Sequence, residues 1–161
     1  MNPLTKKIRK KMIDYSSKRH MYAIISSMRN KIYITKEMPH EQQEQCCSID
    51  VGKVLSNAYK NNPVEFTKKS KFDSFYYFRQ ILDGFLEPSK TRIVFTNLGI
   101  LLETDFSLDV PKFLLEYAKD YQVFILQGPF NIIDGTKLVW NVENPNNKIE
   151  FNQGVVEVLS E

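Results

Sequence analysis

Two segments contain residues that could bind the phosphates of a nucleotide, and both depart from the pattern that this chemistry needs. The first runs from Ser26 to Lys31, directly after an apolar stretch. A phosphate loop needs glycines, whose backbone amides curl around phosphate, followed by a lysine and a hydroxyl residue. Lys31 stands near the position of that lysine, but Asn30 replaces a glycine and Ile32 replaces the hydroxyl residue. We therefore predict no nucleotide-binding residue in this segment.

The second segment is the apolar run 93–96, which predicts a buried strand of a parallel sheet. Enzymes with a phosphate loop end the corresponding strand in an acid that holds magnesium. Here the strand ends in a threonine followed by Asn97. Glu103 and Asp105 come later and could act as an acid and a base, so an enzyme that uses Lys31 with either carboxylate is one hypothesis. We favour a solvated loop and predict no catalytic residue.

Residue types that bind metals or act as nucleophiles are few. His20 and His40 are not spaced as a metal-binding pair. Cys46 and Cys47 are adjacent, so they form a poor disulfide and supply too few ligands for zinc. We interpret them as small apolar residues that lead into a strand of a reduced, cytoplasmic protein. The sequence therefore predicts neither a metal nor a cofactor.

Positive charge is concentrated at the beginning of the chain. The whole protein has a formal net charge of +3 at pH 7, but Asp14 is the only acid in the segment 1–31. Apolar residues at helical spacing over 4–19 predict an amphipathic helix with basic residues between them. Such a helix could contact the phosphates of nucleic acid or an acidic protein surface, or it could be a solvated face. The candidate nucleic-acid-binding residues are Lys6, Lys7, Arg9, Lys10, Lys11, Lys18 and Arg19.

The remaining pattern predicts an α/β fold with a central, mostly parallel sheet of P-loop-like order, flanking helices and an antiparallel C-terminal extension. We predict a basic N-terminal helix over 1–20 and a single α/β domain over 21–161. No apolar run approaches the ~18 residues that span a membrane. Predicted strands are 21–25, 47–51, 92–98, 121–126, 137–142, 148–151 and 155–159, and 31–38 is ambiguous. The first predicted helix is 52–60, and Asn61-Asn62-Pro63 ends it. A second helix is capped by Asp73 or Ser74, and its apolar stripe consists of Phe75, Phe78, Leu82 and Phe85. A third helix is capped by Asp109.

The order of these elements resembles BrxF, the small P-loop protein of some BREX phage-exclusion systems. The similarity lies mainly in 93–151, where segments 96–102, 111–117 and 123–128 match successive strand and helix motifs of that family. A short strand and a proline-containing turn of the family resemble Leu138-Val-Trp140 and Asn144-Pro145. Upstream, Val54-Leu55-Ser56 is weakly similar to the family's second helix.

The departures from the family fall on its catalytic positions. Its phosphate-loop glycines are absent around 26–31, and Thr96 and Gly99 replace the acids of its third strand. The resemblance therefore implies a degenerate member that kept the scaffold and lost the hydrolytic site. Such a protein would be a non-catalytic subunit of a bacterial anti-phage defence complex, docked to a larger protein subunit. DNA is a further candidate partner, and we predict no membrane partner. The alternative to a docking subunit is a nucleic-acid-binding accessory protein that uses the basic N-terminal helix.

Overall fold

A parallel β-sheet forms the centre of the protein. The computed structural model describes residues 3–13, 21–24, 46–126, 130–133, 137–140 and 156–159. The sheet has five strands in the order β2-β3-β4-β1-β7, and every neighbouring pair is parallel. Its strands are β1 (Met21–Ile24), β2 (Cys46–Asp50), β3 (Arg92–Thr96), β4 (Gln122–Leu126) and β7 (Val156–Leu159). The α/β class with a parallel sheet is therefore confirmed.

Helices and short 3₁₀ turns connect and cover these strands. The helices are α1 (Pro3–Ile13), α2 (Val51–Asn61), α3 (Pro63–Asp83) and α4 (Val110–Tyr117). Two 3₁₀ turns, Gly99–Leu102 and Thr104–Phe106, follow β3. None of the helices in the described ranges is long and apolar enough to cross a membrane.

The end of the chain differs from the predicted antiparallel extension. β7 pairs in parallel with β1, so this strand belongs to the main sheet. Its pairing covers an edge of β1 that would otherwise present unpaired backbone groups. β5 (Phe130–Ile133) and β6 (Lys137–Trp140) form a separate antiparallel pair. The predicted strand 148–151, the ambiguous segment 31–38 and the predicted helical residues 14–19 lie outside the described residues.

Helix α3 begins much earlier than the sequence analysis predicted. The side chain of Asn62 accepts a hydrogen bond from the Glu65 N–H at 3.1 Å, and Pro63 occupies the first turn of α3. Asn62 is therefore an N-cap, and Pro63 is in the position that tolerates a missing N–H. The Asn-Asn-Pro segment ends α2, as predicted, and at the same time starts α3.

Asp73 divides α3 into two halves. Its backbone is not helical (φ −154°, ψ 85°), and its Oδ1 accepts a hydrogen bond from the Tyr76 N–H at 3.0 Å. The predicted cap is therefore present, but it lies inside a longer element. Phe78 and Leu82 in the second half are fully buried, as predicted, whereas Phe85 lies beyond the helix end and is 55% exposed.

Helix α4 agrees closely with its prediction. The Asp109 side chain accepts a hydrogen bond from the Lys112 N–H at 3.2 Å. Val110, Leu114 and Tyr117 are buried, as the spacing predicts. The Tyr117 hydroxyl donates to Asp83 Oδ1 at 3.0 Å, so α4 is joined to the end of α3. Burial, followed by the nearby Asp83 carboxylate, raises the pKa of Tyr117 far above its ordinary value, which keeps the hydroxyl protonated as a donor.

A buried polar chain attaches α1 to the amino end of the sheet. Gln122 is fully buried; its Oε1 accepts from Arg92 Nε at 2.9 Å, and its Nε2 donates to the Lys11 carbonyl at 3.1 Å. Ile8 of α1 is also fully buried. The N-terminal helix therefore packs against the body of the protein through one face.

Replacing Gln122 by leucine is expected to lower the free energy of unfolding by about 1–3 kcal/mol, since it removes both hydrogen bonds of a buried amide. Urea unfolding measures the loss, and hydrogen exchange should become faster in α1. Lys11→Met is the matched control, because it removes the exposed ion pair with Glu157, in which Nζ and Oε1 are 2.7 Å apart, and keeps the Lys11 carbonyl that accepts from Gln122. That change should cost less than about 1 kcal/mol. Equal losses for the two variants would contradict the role of Gln122.

Candidate docking site

The carboxyl ends of β2 and β3 are closed by a hydrogen-bonded cluster of three residues. Asn97 follows β3 in the left-handed region (φ 55°), which asparagine tolerates better than most residues. Its Nδ2 donates to Asp50 Oδ1 at 3.0 Å, and its carbonyl accepts from the Gly52 N–H at 2.9 Å. Asp50 also caps α2 by accepting from the Lys53 N–H at 2.9 Å. The Asp50 carboxylate, which ends the neighbouring strand, therefore has a structural role.

Gly52 is required by the close approach of Asn97. A methyl group on Gly52 would lie 2.7 Å from Asn97 Cγ, inside van der Waals contact. Thr96, the last residue of β3, donates through Oγ1 to the Ile49 carbonyl at 3.5 Å. Thr96 and Asn97, at the end of β3, thus tie β3 to β2 and α2.

A groove lies between α2, the first half of α3 and the two 3₁₀ turns. Its volume is about 440 Å³, within the usual range of ligand pockets. Four aromatic or aliphatic residues, four charged residues and three hydroxyl residues line it. The lining residues are Ser56, Tyr59, Lys60, Phe66, Thr67, Ser70, Lys71, Ile100, Glu103, Asp105 and Phe106.

The floor of the groove is a cluster of aromatic rings. The Phe66 ring centroid lies 5.7 Å from that of Tyr59 and 6.1 Å from that of Phe106, both edge to face. Phe78 supports the floor from within the core, with its centroid 4.8 Å from that of Phe106. Edge-to-face packing of this kind stabilises beyond simple burial. The floor is therefore rigid, and Tyr59, which is 49% exposed, presents part of it to solvent.

A side-chain hydrogen bond fixes one wall of the groove to α3. The Ser74 hydroxyl, directly after the break at Asp73, donates to the Phe106 carbonyl at 2.6 Å. Leu101 of the first 3₁₀ turn is buried in the core. The turns that carry Glu103 and Asp105 are therefore held against the helices, and the groove does not depend on a loose loop.

The charges of the rim are divided between its walls. Lys60 and Lys71 come from the helices, whereas Glu103 and Asp105 come from the turns. Both carboxylates are exposed. Within the described part of the chain, none of these four side chains forms an ion pair or a hydrogen bond. They are available to a molecule that brings both positive and negative groups.

The groove contains two of the three residues in the enzymatic hypothesis, Glu103 and Asp105. They line the same wall, and among the described residues that line the groove with them there is no histidine or cysteine. Lys31 lies outside the described residues. The enzymatic hypothesis therefore stays a prediction.

Among the described residues, no group of three or more metal-binding side chains occurs. Cys46 and Cys47 are free thiols at the start of β2. The Cys47 thiol donates to the Phe85 carbonyl at 3.2 Å. Burial raises the pKa of both thiols, so they remain protonated, as expected for cysteines that pack as small apolar residues. His20 and His40 lie outside the described ranges.

The predicted basic residues of α1 are only partly available. Lys6, Lys7 and Lys10 are exposed, and Arg9 is half-buried. Lys11 is engaged with Glu157 of β7. Lys18 and Arg19 lie outside the described residues. The structure therefore places part of the predicted cationic face on the surface of a helix that is packed against the sheet.

No family model, curated protein or solved structure matches this chain.

Sequence reasoning missed the groove because it missed the first half of α3. A usable signal was present: Asn62 is followed three residues later by Glu65, the spacing of a capping box, and Pro63 lies between them. In the structure, Asn62 Nδ2 also donates to Glu65 Oε2 at 3.0 Å. This pattern would have placed Phe66 on a helix that faces α2.

Proposed function

We propose that this chain is a non-catalytic subunit of a bacterial anti-phage defence complex and that it works by docking to a larger protein subunit. The observation that carries the proposal is the groove between α2, α3 and the 3₁₀ turns. The assignment to phage defence rests on the resemblance of residues 93–151 to BrxF.

The groove fits an amphipathic segment of a partner protein. Protein interfaces concentrate their binding energy in a few anchors that enter well-packed pockets, and the rigid aromatic floor suits an apolar anchor. Lys71 on one wall and Glu103 on the other would then pair with charges on either side of that anchor. Opposite charges on the two walls also fix the direction in which a segment binds, because the reversed segment would place like charges together.

The cluster at the ends of β2 and β3 supports a non-catalytic role. Asn97 cannot hold magnesium as a carboxylate would, and its amide is engaged with Asp50. Asp50 in turn accepts the Lys53 N–H that begins α2. A change that freed this carboxylate for a metal would therefore remove a helix cap, which typically costs about 1 kcal/mol.

The strand order supports the finer description of a pseudo-P-loop sheet. Ligands of open parallel sheets bind at the carboxyl ends of the strands where the strand order reverses. In this sheet the chain passes from β1 to the far strand β2 and returns through β3 and β4, so the reversal lies between β4 and β1. Segment 26–31, which departs from a phosphate loop, follows β1. The antiparallel pairing of β5 with β6 supports the proposed antiparallel extension.

A nucleic-acid-binding accessory protein is the second candidate. The exposure of Lys6, Lys7 and Lys10 on α1 favours it. Lys6 and Lys10 are four residues apart and lie on one face of the helix. Contacts of this kind would bind phosphates without reading sequence.

A pull-down of the tagged full chain from its native host, with and without nuclease, tests the docking proposal. Wild-type protein should retain one large partner after nuclease treatment. Glu103→Lys combined with Asp105→Lys should weaken the purified complex about tenfold or more, because paired interface charges contribute at least about 1.4 kcal/mol. Lys6→Glu combined with Lys10→Glu on α1 is the matched control and should leave the complex unchanged.

The opposite pattern would contradict docking through the groove. If nuclease releases the bound material, or if the α1 variant loses it while the groove variant keeps it, the accessory role through α1 replaces the proposal. Magnesium-dependent ATP hydrolysis by the wild-type chain, lost on changing Glu103 or Asp105 to alanine, would instead support the enzymatic hypothesis.

A further inference from the structure

Phe72 is the most exposed large apolar residue among those that the structure describes, with 92% of its surface accessible. It is the last residue of the first half of α3, immediately before the break at Asp73. Side chains of a helix lean toward the preceding turn, so the ring lies toward the turn that carries Lys68. The aromatic run 72–78 could indicate either base stacking or a core stripe. In the structure Phe75 and Phe78 pack into the core, and Phe72 does not.

Lysines surround this ring. Lys68 and Lys71 are three residues apart on a helix and so lie on one face, together with Phe72, which is four residues beyond Lys68. Lys69 forms an ion pair with Glu65, whose Oε1 lies 2.6 Å from its Nζ. Lys68 and Lys71 form no ion pair or hydrogen bond with any residue in the described ranges. An open cleft of about 610 Å³ is lined by Lys68, Lys69, Lys71 and Phe72.

This combination is unlike the centre of a protein interface. Lysine is depleted there, and aromatic anchors are surrounded by other apolar contacts. The apolar surface at Phe72 is also smaller than that of an amphipathic helix bound to a membrane, because such a helix buries a whole apolar face. Sites for single-stranded nucleic acid, in contrast, combine exposed aromatic rings, on which bases stack, with cations that follow the phosphates.

We propose that Lys68, Lys71 and Phe72, here termed the Phe72 patch, bind single-stranded nucleic acid. One base stacks on the exposed face of the Phe72 ring, and the two lysines contact the phosphates on either side of it. Lys71 also lines the docking groove, so a bound strand and a docked segment would compete for this lysine. The patch is distinct from the α1 lysines, and the proposal does not depend on docking.

Fluorescence anisotropy of the full chain with a labelled oligothymidylate of about 16 nucleotides, the upper end of the site size of small single-strand-binding folds, tests this proposal. Phe72→Ala should weaken binding about 5- to 150-fold, the equivalent of one lost stacking contact at about 1–3 kcal/mol. Phe72→Trp should retain binding, since it preserves a stacking surface. Neither change should alter the salt dependence, because neither removes a cation.

Replacing Lys68 and Lys71 by alanine should flatten the dependence of log Kobs on log salt concentration by about 1.4, at about 0.7 for each phosphate contact. Lys53→Ala combined with Lys112→Ala, on α2 and α4, is the matched control for the loss of two positive charges and should leave the slope unchanged. A fully duplex oligonucleotide should bind more weakly than the single strand, because its bases are not free to stack.

Three results would overturn the proposal. One is equal binding of the oligothymidylate by wild type and Phe72→Ala. Another is loss of binding only on changing Lys6 and Lys10. The third is equally tight binding to polyglutamate or to vesicles of anionic lipid that is unaffected by Phe72→Ala, which would indicate a general polyanion surface. Because the partner pull-down uses the Glu103 and Asp105 variant, failure of this proposal would leave the docking result intact.

Discussion

Replacing Phe78 by alanine is expected to lower the free energy of unfolding by about 3–5 kcal/mol, the usual cost of truncating a buried phenylalanine. Phe78 is fully buried, and its ring lies against those of Phe66, Tyr77 and Phe106. Its removal would leave a cavity directly beneath the floor of the groove. Many domains are stable by only about 5–15 kcal/mol, so the variant is expected to lose much of its stability.

Phe72→Ala is the matched control, because it truncates the same residue type on the same helix at a position that is 92% exposed. It should change stability by less than about 0.5 kcal/mol. Urea unfolding followed by circular dichroism measures both variants. Phe78→Leu, which retains most of the apolar volume, should lose about 1–2 kcal/mol and still allow partner binding to be measured. A Phe78→Ala loss no larger than that of Phe72→Ala would contradict the position of Phe78 in the core.

Replacing Gly52 by alanine is expected to lower the free energy of unfolding by about 1–3 kcal/mol, the usual cost of overpacking. The added methyl group would meet the Asn97 side chain, whose Cγ would be 2.7 Å away. Asn97 could move only by breaking its hydrogen bond to Asp50 Oδ1. The backbone bond from the Gly52 N–H to the Asn97 carbonyl holds the two residues in register.

Asn97→Gly provides the second arm of a double-mutant cycle. It removes the obstructing side chain at a position with φ 55°, where glycine is unstrained. In that background Gly52→Ala should cost at least about 1 kcal/mol less than in wild type, which is a coupling energy expected for residues in contact. Gly84→Ala, at a helical glycine (φ −64°), is the matched control and should show no such coupling. Strict additivity of Gly52→Ala and Asn97→Gly would contradict the cluster.

Unfolding measurements and binding measurements are expected to depend on different residues of this protein. The cluster of Asp50, Gly52 and Asn97 ties the carboxyl ends of β2 and β3 to the start of α2. The exposed charges of the groove and the exposed ring of Phe72 contribute little to stability and are available to other molecules. Substitutions at Glu103, Asp105 or Phe72 are therefore expected to leave the protein folded. Those at Glu103 and Asp105 should weaken docking, and those at Phe72 should weaken binding of single-stranded nucleic acid.

The sequence by itself determined the elements that local signals define. The strands near 21–25 and 121–126 and the helix capped by Asp109 follow from apolar runs and from a cap whose partner is three residues away. These signals involve residues close together in the chain, so periodicity and capping chemistry suffice to find them. The α/β class follows from their alternation.

Only the tertiary structure decided the features that depend on contacts between distant segments. The last strand can pair with β1 only because that edge of the sheet is left open by the other strands. β7 therefore joins the parallel sheet. Likewise, Phe72 and Phe78 are the same residue type on one helix, and their periodicity cannot show that one is covered by Phe106 while the other is uncovered. Asn97 forms hydrogen bonds with Asp50 and Gly52 because folding brings β3 beside β2 and the start of α2. Contacts between residues that are distant in the sequence decide this burial and hydrogen bonding, and local propensity does not encode such contacts.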